Sequence, residues 1–502
     1  MLRRMSLDLR GVLPSVDELN SVARNPDAID KIRNEYLFDP LFEERMVDLY
    51  ASWWHTRVDI FDIEYFDYGL DEQQEFAFER SVGEEPLRLI AKVIADDLPW
   101  AEVVTADWTM ADPMLATIWP IEYPENGSGW QVSRYTDERP TAGVLSTNGL
   151  WWRYSTTLSN MNRRRAAAIS RLLLCEDYLD RPITFANQET IFDSENAIQT
   201  SADCVNCHAT LDPIAAALFG FWWIGQYSVD EQSVYHGERE ALAEDFLGTG
   251  PAWYGVPLGN LSDLGVVLSA DPRFGRCAAT QLASMLWHRD PTVDDFETIT
   301  TFQLDFEASG QRSHALIRAI TDGQEYQAGT WTGSEEDAAE IRTSRMMTAD
   351  QLDSVIEDIS GFSWDWDGFD QLNNDTYGYR VLAGGVDGLT VGQRQPVPGM
   401  TWALMVQRMA EAAASTVVSH DLIEGASPRR LLTISTEDVP GNAAFDDQLA
   451  ALHWRLYALP ADAEWLSDIS NLWTAIHELE GAESAWQGVL SAMMQDPDFV
   501  LY

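Results

Sequence analysis

The chain has 502 residues, 45% of them hydrophobic, and a formal net charge of −48 from 81 acidic and 33 basic side chains. This hydrophobic fraction excludes a disordered chain, and the length allows several globular domains. The acidic surface repels phosphate backbones and anionic lipid, so we expect no binding to nucleic acid or to a membrane surface. The sequence also contains no apolar run long enough to span a membrane.

Residues 1–120 are predicted to form an N-terminal helical domain. Apolar residues recur there at three- and four-residue spacing, which predicts helices over 16–23, 28–38, 43–55 and 86–97. Residues 120–160 are richer in glycine, threonine, serine and aromatic residues, so loop with short strands is expected. A further helix is predicted over 162–180, where an arginine run precedes apolar residues at helical spacing.

The most informative motif lies in the second region, residues 121–254, and reads Cys204-Val-Asn-Cys207-His208. Each cysteine sulfur can add across one vinyl group of a haem, and the histidine that follows is delivered to the iron as an axial ligand. A structural zinc site would need a second pair of ligands at comparable spacing, and a redox dithiol would be expected beside a strand in a βαβ unit. The sequence shows neither, so the motif predicts haem c bound by Cys204, Cys207 and His208, ahead of a helix over 213–221.

The sixth iron ligand decides the chemistry of such a site, because methionine raises the reduction potential, histidine lowers it and an open position admits small molecules or peroxide. The candidates are Met110, Met161, Met285 and His288. Met285 and His288 lie on an apolar helix, where core packing is the competing interpretation. The other ring nitrogen of His208 needs a carbonyl or carboxylate acceptor, and a backbone carbonyl near Asp212 is the nearest expected one.

Other side chains around the motif have two interpretations each. The three arginines Arg163, Arg164 and Arg165 either pair with haem propionates or neutralise carboxylates of the protein. The four tryptophans Trp151, Trp152, Trp222 and Trp223 either flank a haem or a sugar, or belong to the core, which is the favoured interpretation. His55 and His236 are isolated and are interpreted as structural.

The remaining chain is predicted to form a helical domain over 255–332 and a mixed, mostly helical domain over 338–502, joined by a charged linker near 333–337. Helices are predicted in the first of these over 261–269, 276–287, 294–309 and 313–321. An Asp-Pro-x-Phe phrase recurs at 39–42, 271–274 and 496–499, where an aspartate cap and a first-turn proline indicate a helix start. The predicted fold class is therefore mainly α and multidomain, with long irregular loops and a haem c segment.

The compartment follows from the haem motif, because bacteria attach haem c outside the cytoplasm. We therefore expect a periplasmic or cell-surface protein. Residues 1–5 lack the apolar stretch of a signal peptide, so an export signal is expected to be missing from this chain. The other two cysteines, Cys175 and Cys277, are either two buried thiols or one disulfide, and an oxidising compartment favours the disulfide.

Several stretches resemble a family of large extracytoplasmic proteins of planctomycete type that contain cytochrome c domains. Residues 4–14 are similar to the family's opening phrase RRLSLDLTGLPP, and the motif with Leu211-Asp-Pro213 is similar to CxxCHxxMDP. Weaker similarities lie at 142–147, 163–165, 172–175 and 274–277, so the resemblance covers 1–325 and 496–502. The chain departs from the family at Leu211, where methionine is usual, and over 219–223. The resemblance implies haem c and a Cys175–Cys277 disulfide, but no reaction.

Three functions are compatible with these features. The leading hypothesis is a mono-haem c-type cytochrome of the cell envelope that transfers single electrons to a partner not specified by the sequence. The second is a haem oxidoreductase with an open sixth position. The third is a surface binding or scaffolding protein in which haem is structural and aromatic regions hold a polysaccharide or another protein.

Overall fold

Helices dominate the computed structural model of this chain, with 60% of residues helical and 4% in strands. The predicted mainly α class is therefore confirmed. The structure describes all residues except 182–197, 199–200, 222–227, 328–344, 396 and 424, so the predicted linker near 333–337 lies outside the described residues. Within the described part, no helix is both long and apolar enough to cross a membrane.

The helices of the first half are α1 Leu2–Arg10, α2 Val16–Arg24, α3 Ala28–Tyr36, α4 Pro40–Trp54, α5 Glu75–Ala95, α6 Glu102–Thr105, α7 Pro113–Ile118, α8 Asn148–Arg153, α9 Arg163–Leu174, α10 Ala202–Ala216, α11 Val229–Gln232 and α12 Leu242–Leu247. Those of the second half are α13 Leu261–Ser269, α14 Pro272–Trp287, α15 Phe296–Ala308, α16 Ser313–Asp322, α17 Gln324–Gln327, α18 Ala349–Ser360, α19 Met400–Asp421, α20 Ala443–Tyr457, α21 Ala463–Glu480, α22 Ala482–Gln495 and α23 Pro497–Val500. The described strands form antiparallel two-stranded sheets: β1 Thr109–Ala111 with β2 Gln131–Ser133, β3 Ala252–Trp253 with β4 Val256–Pro257, and β5 Asp365–Trp366 with β6 Phe369–Asp370.

The chain divides into two compact units, here called the central unit, residues 49–326, and the terminal unit, residues 1–48 with 327–502. The first 48 residues of the predicted N-terminal domain therefore belong with the C-terminal region, and residues 49–120 belong with the segment that carries the motif. The finer four-part division, 1–120, 121–254, 255–332 and 338–502, stays a prediction.

The terminal unit is built around α19 and α22, which pack against each other. Met409, Ala413 and Trp486 are fully buried in its core. The N-terminal segment joins this core through Leu7, and the Gln351 side chain donates to the Leu7 carbonyl oxygen over 2.9 Å. Long-range contacts of this kind bury the apolar faces of helices that are distant in sequence.

The central unit is organised around α5, which is buried over almost all of its length from Phe78 to Ile94. The helix α8 and the strand β1 pack against it. Further along the chain, α9 packs against both α10 and α14. The helix that carries Cys204, Cys207 and His208 is therefore held by a neighbouring helix of the central unit.

The Asp-Pro-x-Phe phrases start helices at all three predicted places. Pro40, Pro272 and Pro497 are the first residues of α4, α14 and α23. In each case the preceding aspartate accepts a backbone N–H of the first turn, over 2.8–2.9 Å. The phenylalanine that follows is fully buried at each site, which anchors the turn.

Two predicted helix starts were wrong, both at prolines. The predicted helix over 86–97 begins earlier, at Glu75, and Pro86 lies inside it. A helix that is buried on every side shows no apolar period, and Gly83 with Pro86 resembles a break. Likewise the helix predicted over 213–221 begins at Ala202, includes the motif and ends at Ala216. Pro213 lies inside it and removes one backbone hydrogen bond, and packing against α9 offsets that loss.

Other boundaries shifted at the helix ends. The helix predicted over 162–180 ends at Leu174, because Cys175 adopts a left-handed conformation with φ 54°, and a short 3₁₀ turn follows at Tyr178–Asp180. The helices predicted over 16–23, 28–38, 43–55, 261–269, 276–287, 294–309 and 313–321 are all present, with ends displaced by a few residues at most.

Candidate functional site

The two motif cysteines and the histidine share one face of α10. Cys204, Cys207 and His208 stand at positions i, i+3 and i+4 of this helix, and residues at these spacings are neighbours on a helix surface. All three side chains are half-buried, and both thiols are free. The helix therefore presents two free thiols and one imidazole together on a partly exposed face.

The imidazole of His208 is oriented by a carboxylate one turn further along α10. Its Nδ1 lies 2.9 Å from Oδ1 of Asp212, so the ring fits as a donor from Nδ1 and keeps Nε2 for another partner. The expected backbone carbonyl was therefore the wrong acceptor, because the i, i+4 spacing of the helix brings the Asp212 side chain to the ring instead.

A guanidinium from α9 holds the same carboxylate. Arg163 donates from Nε to Oδ1 of Asp212 over 2.7 Å and from Nη2 to Oδ2 over 3.0 Å, which is a bidentate ion pair. Burial alone would raise the pKa of Asp212, but its hydrogen bonds with His208 and Arg163 outweigh burial and hold that pKa below its usual range. The carboxylate is therefore a fixed negative charge behind the imidazole.

The rest of α9 fixes the position of this network. Arg165 is fully buried and donates to three backbone carbonyls, of Tyr154, Phe221 and Trp151, and to the Asn162 side chain, at 2.7–3.1 Å. At the other end of the helix a disulfide joins Cys175 to Cys277 on α14. The predicted disulfide is thus confirmed, and it closes a covalent loop that contains the motif.

The three predicted propionate partners have different environments. Arg163 is committed to Asp212, and Arg165 is committed to main-chain oxygens. Arg164 is exposed, and its backbone N–H donates to Oδ1 of Asn160 over 2.8 Å. The interpretation as a partner of a protein carboxylate is therefore confirmed for Arg163, whereas Arg165 donates to main-chain carbonyls and to Asn162.

Two further side chains border the motif and were missed in the sequence. Tyr178 makes a 2.9 Å hydrogen bond with the Thr210 hydroxyl of α10. Arg181 donates to the Asn206 carbonyl within the motif over 3.2 Å, and its guanidinium lies 4.2 Å from the centre of the Tyr178 ring. Their separation from the motif by more than twenty residues left no local signal.

The four predicted sixth-ligand candidates lie in different settings. Met110 is buried in β1 and Met285 is buried in α14, as expected for core methionines. His288 ends α14 in a left-handed conformation. Met161 is the candidate connected to the network, with its sulfur 4.0 Å from Nη1 of Arg163.

The remaining aromatic and histidine predictions agree with a structural role. Trp151 and Trp152 are buried, and their indole N–H groups donate to the Leu145 and Gln232 carbonyls over 2.8 and 3.1 Å. The ring of His236 contacts the Glu231 carbonyl at 3.0 Å. Trp222 and Trp223 lie outside the described residues.

Metal coordination by the protein alone has no support in the part of the chain that the structure covers. Among those residues, no three His, Cys, Asp or Glu side chains converge on one point. Cys204, Cys207 and His208 share a helix face without forming the tetrahedral set that zinc requires. The spacing, and an Nε2 that has no hydrogen-bond partner among the residues described, instead fit a group that bonds the sulfurs and the imidazole at separate points.

Comparisons with protein-family models, curated proteins and solved structures find no match for this chain. The resemblance to cytochrome c domain proteins therefore stays a prediction carried by the residues themselves.

Proposed function

We propose that the chain is a mono-haem c-type cytochrome of the cell envelope that transfers single electrons. Cys204 and Cys207 would hold the porphyrin covalently, and Nε2 of His208 would bind the iron. The observation that carries the proposal is the His208–Asp212 hydrogen bond of 2.9 Å, because a metal-binding histidine commonly donates its other ring nitrogen to a carboxylate. When bound, the haem would supply an iron that cycles between the ferric and ferrous states.

The protein side chains have distinct tasks in this proposal. Asp212 fixes the tautomer and the ring orientation of His208, and Arg163 keeps Asp212 ionised. Arg181 and Tyr178 contact α10 beside the cysteines and would offer a guanidinium and a hydroxyl to anionic groups on a bound haem. Arg165 and the disulfide hold α9, and with it the network, in place.

A haem oxidoreductase with an open sixth position is the second candidate. The observations that favour it are that Met110 and Met285 are buried in the core and that the Met161 sulfur contacts Nη1 of Arg163 at 4.0 Å. Rapid cyanide binding by the ferric protein and a high-spin spectrum are expected for this candidate. Slow cyanide binding and a low-spin spectrum are expected for the electron carrier.

The test is expression of the full chain with an export signal and the haem-ligation machinery. We expect a haem stain that survives a denaturing gel and a reduced α-band in the visible spectrum. The Cys204→Ser plus Cys207→Ser variant should lose the stain. His420→Gln should keep it, since His420 has a similar carboxylate contact, 2.8 Å to Asp421, but lies in the terminal unit. A colourless, folded wild-type protein would overturn the proposal and favour a binding scaffold.

A further inference from the structure

The network behind His208 contains two opposite charges in series. Asp212 contacts the imidazole with Oδ1, and the same oxygen accepts from Nε of Arg163 over 2.7 Å. Both the carboxylate and the guanidinium are largely shielded from solvent, with side-chain exposures of 7% and 16%. Charges shielded in this way act on a neighbouring group more strongly than exposed ones.

The two charges act on the imidazole in opposite directions. A carboxylate that accepts a hydrogen bond from Nδ1–H makes the imidazole a stronger electron donor at Nε2. A stronger donor stabilises ferric over ferrous iron. A guanidinium bound to that carboxylate withdraws part of its charge, which weakens the same effect. Removing the Asp212 carboxylate should therefore raise the reduction potential of the iron. Removing the Arg163 guanidinium should lower it.

We propose that Asp212 and Arg163 are an opposed pair of positioning residues that sets the reduction potential of iron bound to His208. The inference rests on the proposed function, because it needs an iron at Nε2. The couple concerned is ferric iron plus one electron giving ferrous iron, and in the test the electron comes from the reductant of a redox titration.

The experiment measures the midpoint potential of the holoprotein in mediated redox titrations. We expect Asp212→Asn to raise the midpoint potential and Arg163→Gln to lower it. Each shift should be about 59 mV, which corresponds to a tenfold change in the equilibrium constant of a one-electron reduction. The Arg163→Gln plus Asp212→Asn double variant should lie close to Asp212→Asn, because Arg163 acts through the carboxylate. Far-UV circular dichroism and the covalent haem stain verify that each variant is folded and loaded.

Two neighbouring charges provide matched controls. Arg164→Gln removes an exposed arginine one residue away, and Asp180→Asn removes an exposed aspartate of the adjoining 3₁₀ turn. Both should leave the potential within the error of the wild type. Variants of the pair that match these controls, or that shift the potential in the same direction as each other, overturn the inference while a retained haem stain leaves the proposed function intact. Loss of the stain in the wild type overturns both.

If Asp212→Asn fails to fold, Arg163→Gln and Arg163→Lys decide the question. The potential should fall further in Arg163→Gln than in Arg163→Lys, since lysine keeps a positive charge beside the carboxylate. A potential that is unchanged in Arg163→Gln, or lowered equally in both variants, contradicts the opposed-pair inference.

Discussion

Two adjacent glutamates on α5 are predicted to respond to pH in opposite ways. Glu85 is fully buried and accepts hydrogen bonds from the Tyr135 hydroxyl over 2.7 Å, the Thr109 hydroxyl over 3.0 Å and the Gly149 N–H over 2.9 Å. Burial raises the pKa of Glu85 to about 7, and these hydrogen bonds offset burial only in part. The folded protein therefore keeps a proton on Glu85 at pH values where the unfolded chain has lost it.

The magnitude follows from linkage between protonation and folding. The ordinary pKa is 4.5 and the folded value about 7, a difference that corresponds to about 3 kcal/mol. Between these values the folded state binds more protons than the unfolded state, so the contribution of Glu85 to stability is lost as the pH rises from about 4.5 to about 7. Above pH 7 the full cost of an ionised, buried carboxylate remains.

The assay is chemical denaturation of wild type and Glu85→Gln across this pH range. Glutamine preserves the shape and can accept from Gly149 while donating to the two hydroxyls. We expect the variant to gain about 3 kcal/mol relative to wild type between pH 4.5 and pH 8, with the difference between the two proteins cancelling all other titrating groups. A difference that does not change with pH would refute the reasoning and show that Glu85 is ionised throughout.

Glu84 is the internal control for that experiment. It pairs with Arg57 over 2.7 Å, with Arg88 over 2.6 Å and with Arg80. Burial alone would raise the pKa of Glu84, but these three guanidinium groups hold it well below its usual range. Glu84→Gln should therefore destabilise the protein by about 3–5 kcal/mol at pH 7, with the loss shrinking as the pH falls through the acid range.

Three further predictions concern packing around the site. Cys175→Ser plus Cys277→Ser opens a loop with a sequence separation of 102 and should lower the free energy of unfolding by about 3–5 kcal/mol, measured by denaturant titration, whereas reductant should weaken only the wild type. Arg165→Met leaves buried carbonyls unsatisfied and should cost about 3 kcal/mol or more in the same assay, while Arg164→Met should stay within 0.5 kcal/mol, roughly the range of surface changes. Gly265→Ala places a Cβ 2.0 Å from the Val104 carbonyl oxygen and should lower the thermal unfolding midpoint. Gly250→Ala is the control, because no atom lies within 4 Å of its added Cβ. Equal midpoints in the two variants would contradict the close packing of α13 on α6.

The parts of the fold that could be predicted are those with local causes. An aspartate cap, a proline that has no N–H to lose and an aromatic anchor act within four residues, so the starts of α4, α14 and α23 followed from the sequence. Helices with one buried face, such as α13 and α16, show their apolar period directly. These elements needed no knowledge of distant neighbours.

The interior of the central unit could not be predicted in this way. The helix α5 is buried around its circumference, and Gly83 is required there because a Cβ would lie 2.6 Å from the Thr56 carbonyl oxygen. Its Pro86 leaves the Val82 carbonyl open to close approach by Gly149, whose added Cβ would lie 2.2 Å from that oxygen. Such residues resemble helix breakers until the partner segment is known.

The candidate site likewise combines local relations that the sequence predicts with a distant contact that it does not. The motif and the i, i+4 relation of His208 to Asp212 are local, and the carboxylate partner would have been predictable once the motif was assigned to a helix. The pairing of Arg163 with Asp212 was not predictable, because 49 residues separate the two along the chain. The sequence therefore identified the residues proposed to bond a haem, and Arg163 as a partner for some carboxylate, but not Asp212 as that carboxylate.

That balancing charge also distinguishes the interpretations of the motif. A redox dithiol would use Cys204 and Cys207 and would give the His208–Asp212–Arg163 network no task. A zinc site would draw ligands to one point, which the described side chains do not do. A haem held by two thioethers and one imidazole uses every member: the sulfurs attach, the imidazole binds, the carboxylate orients the ring and the guanidinium fixes the carboxylate. Opposite potential shifts in Asp212→Asn and Arg163→Gln would follow from that arrangement and from neither of the other two.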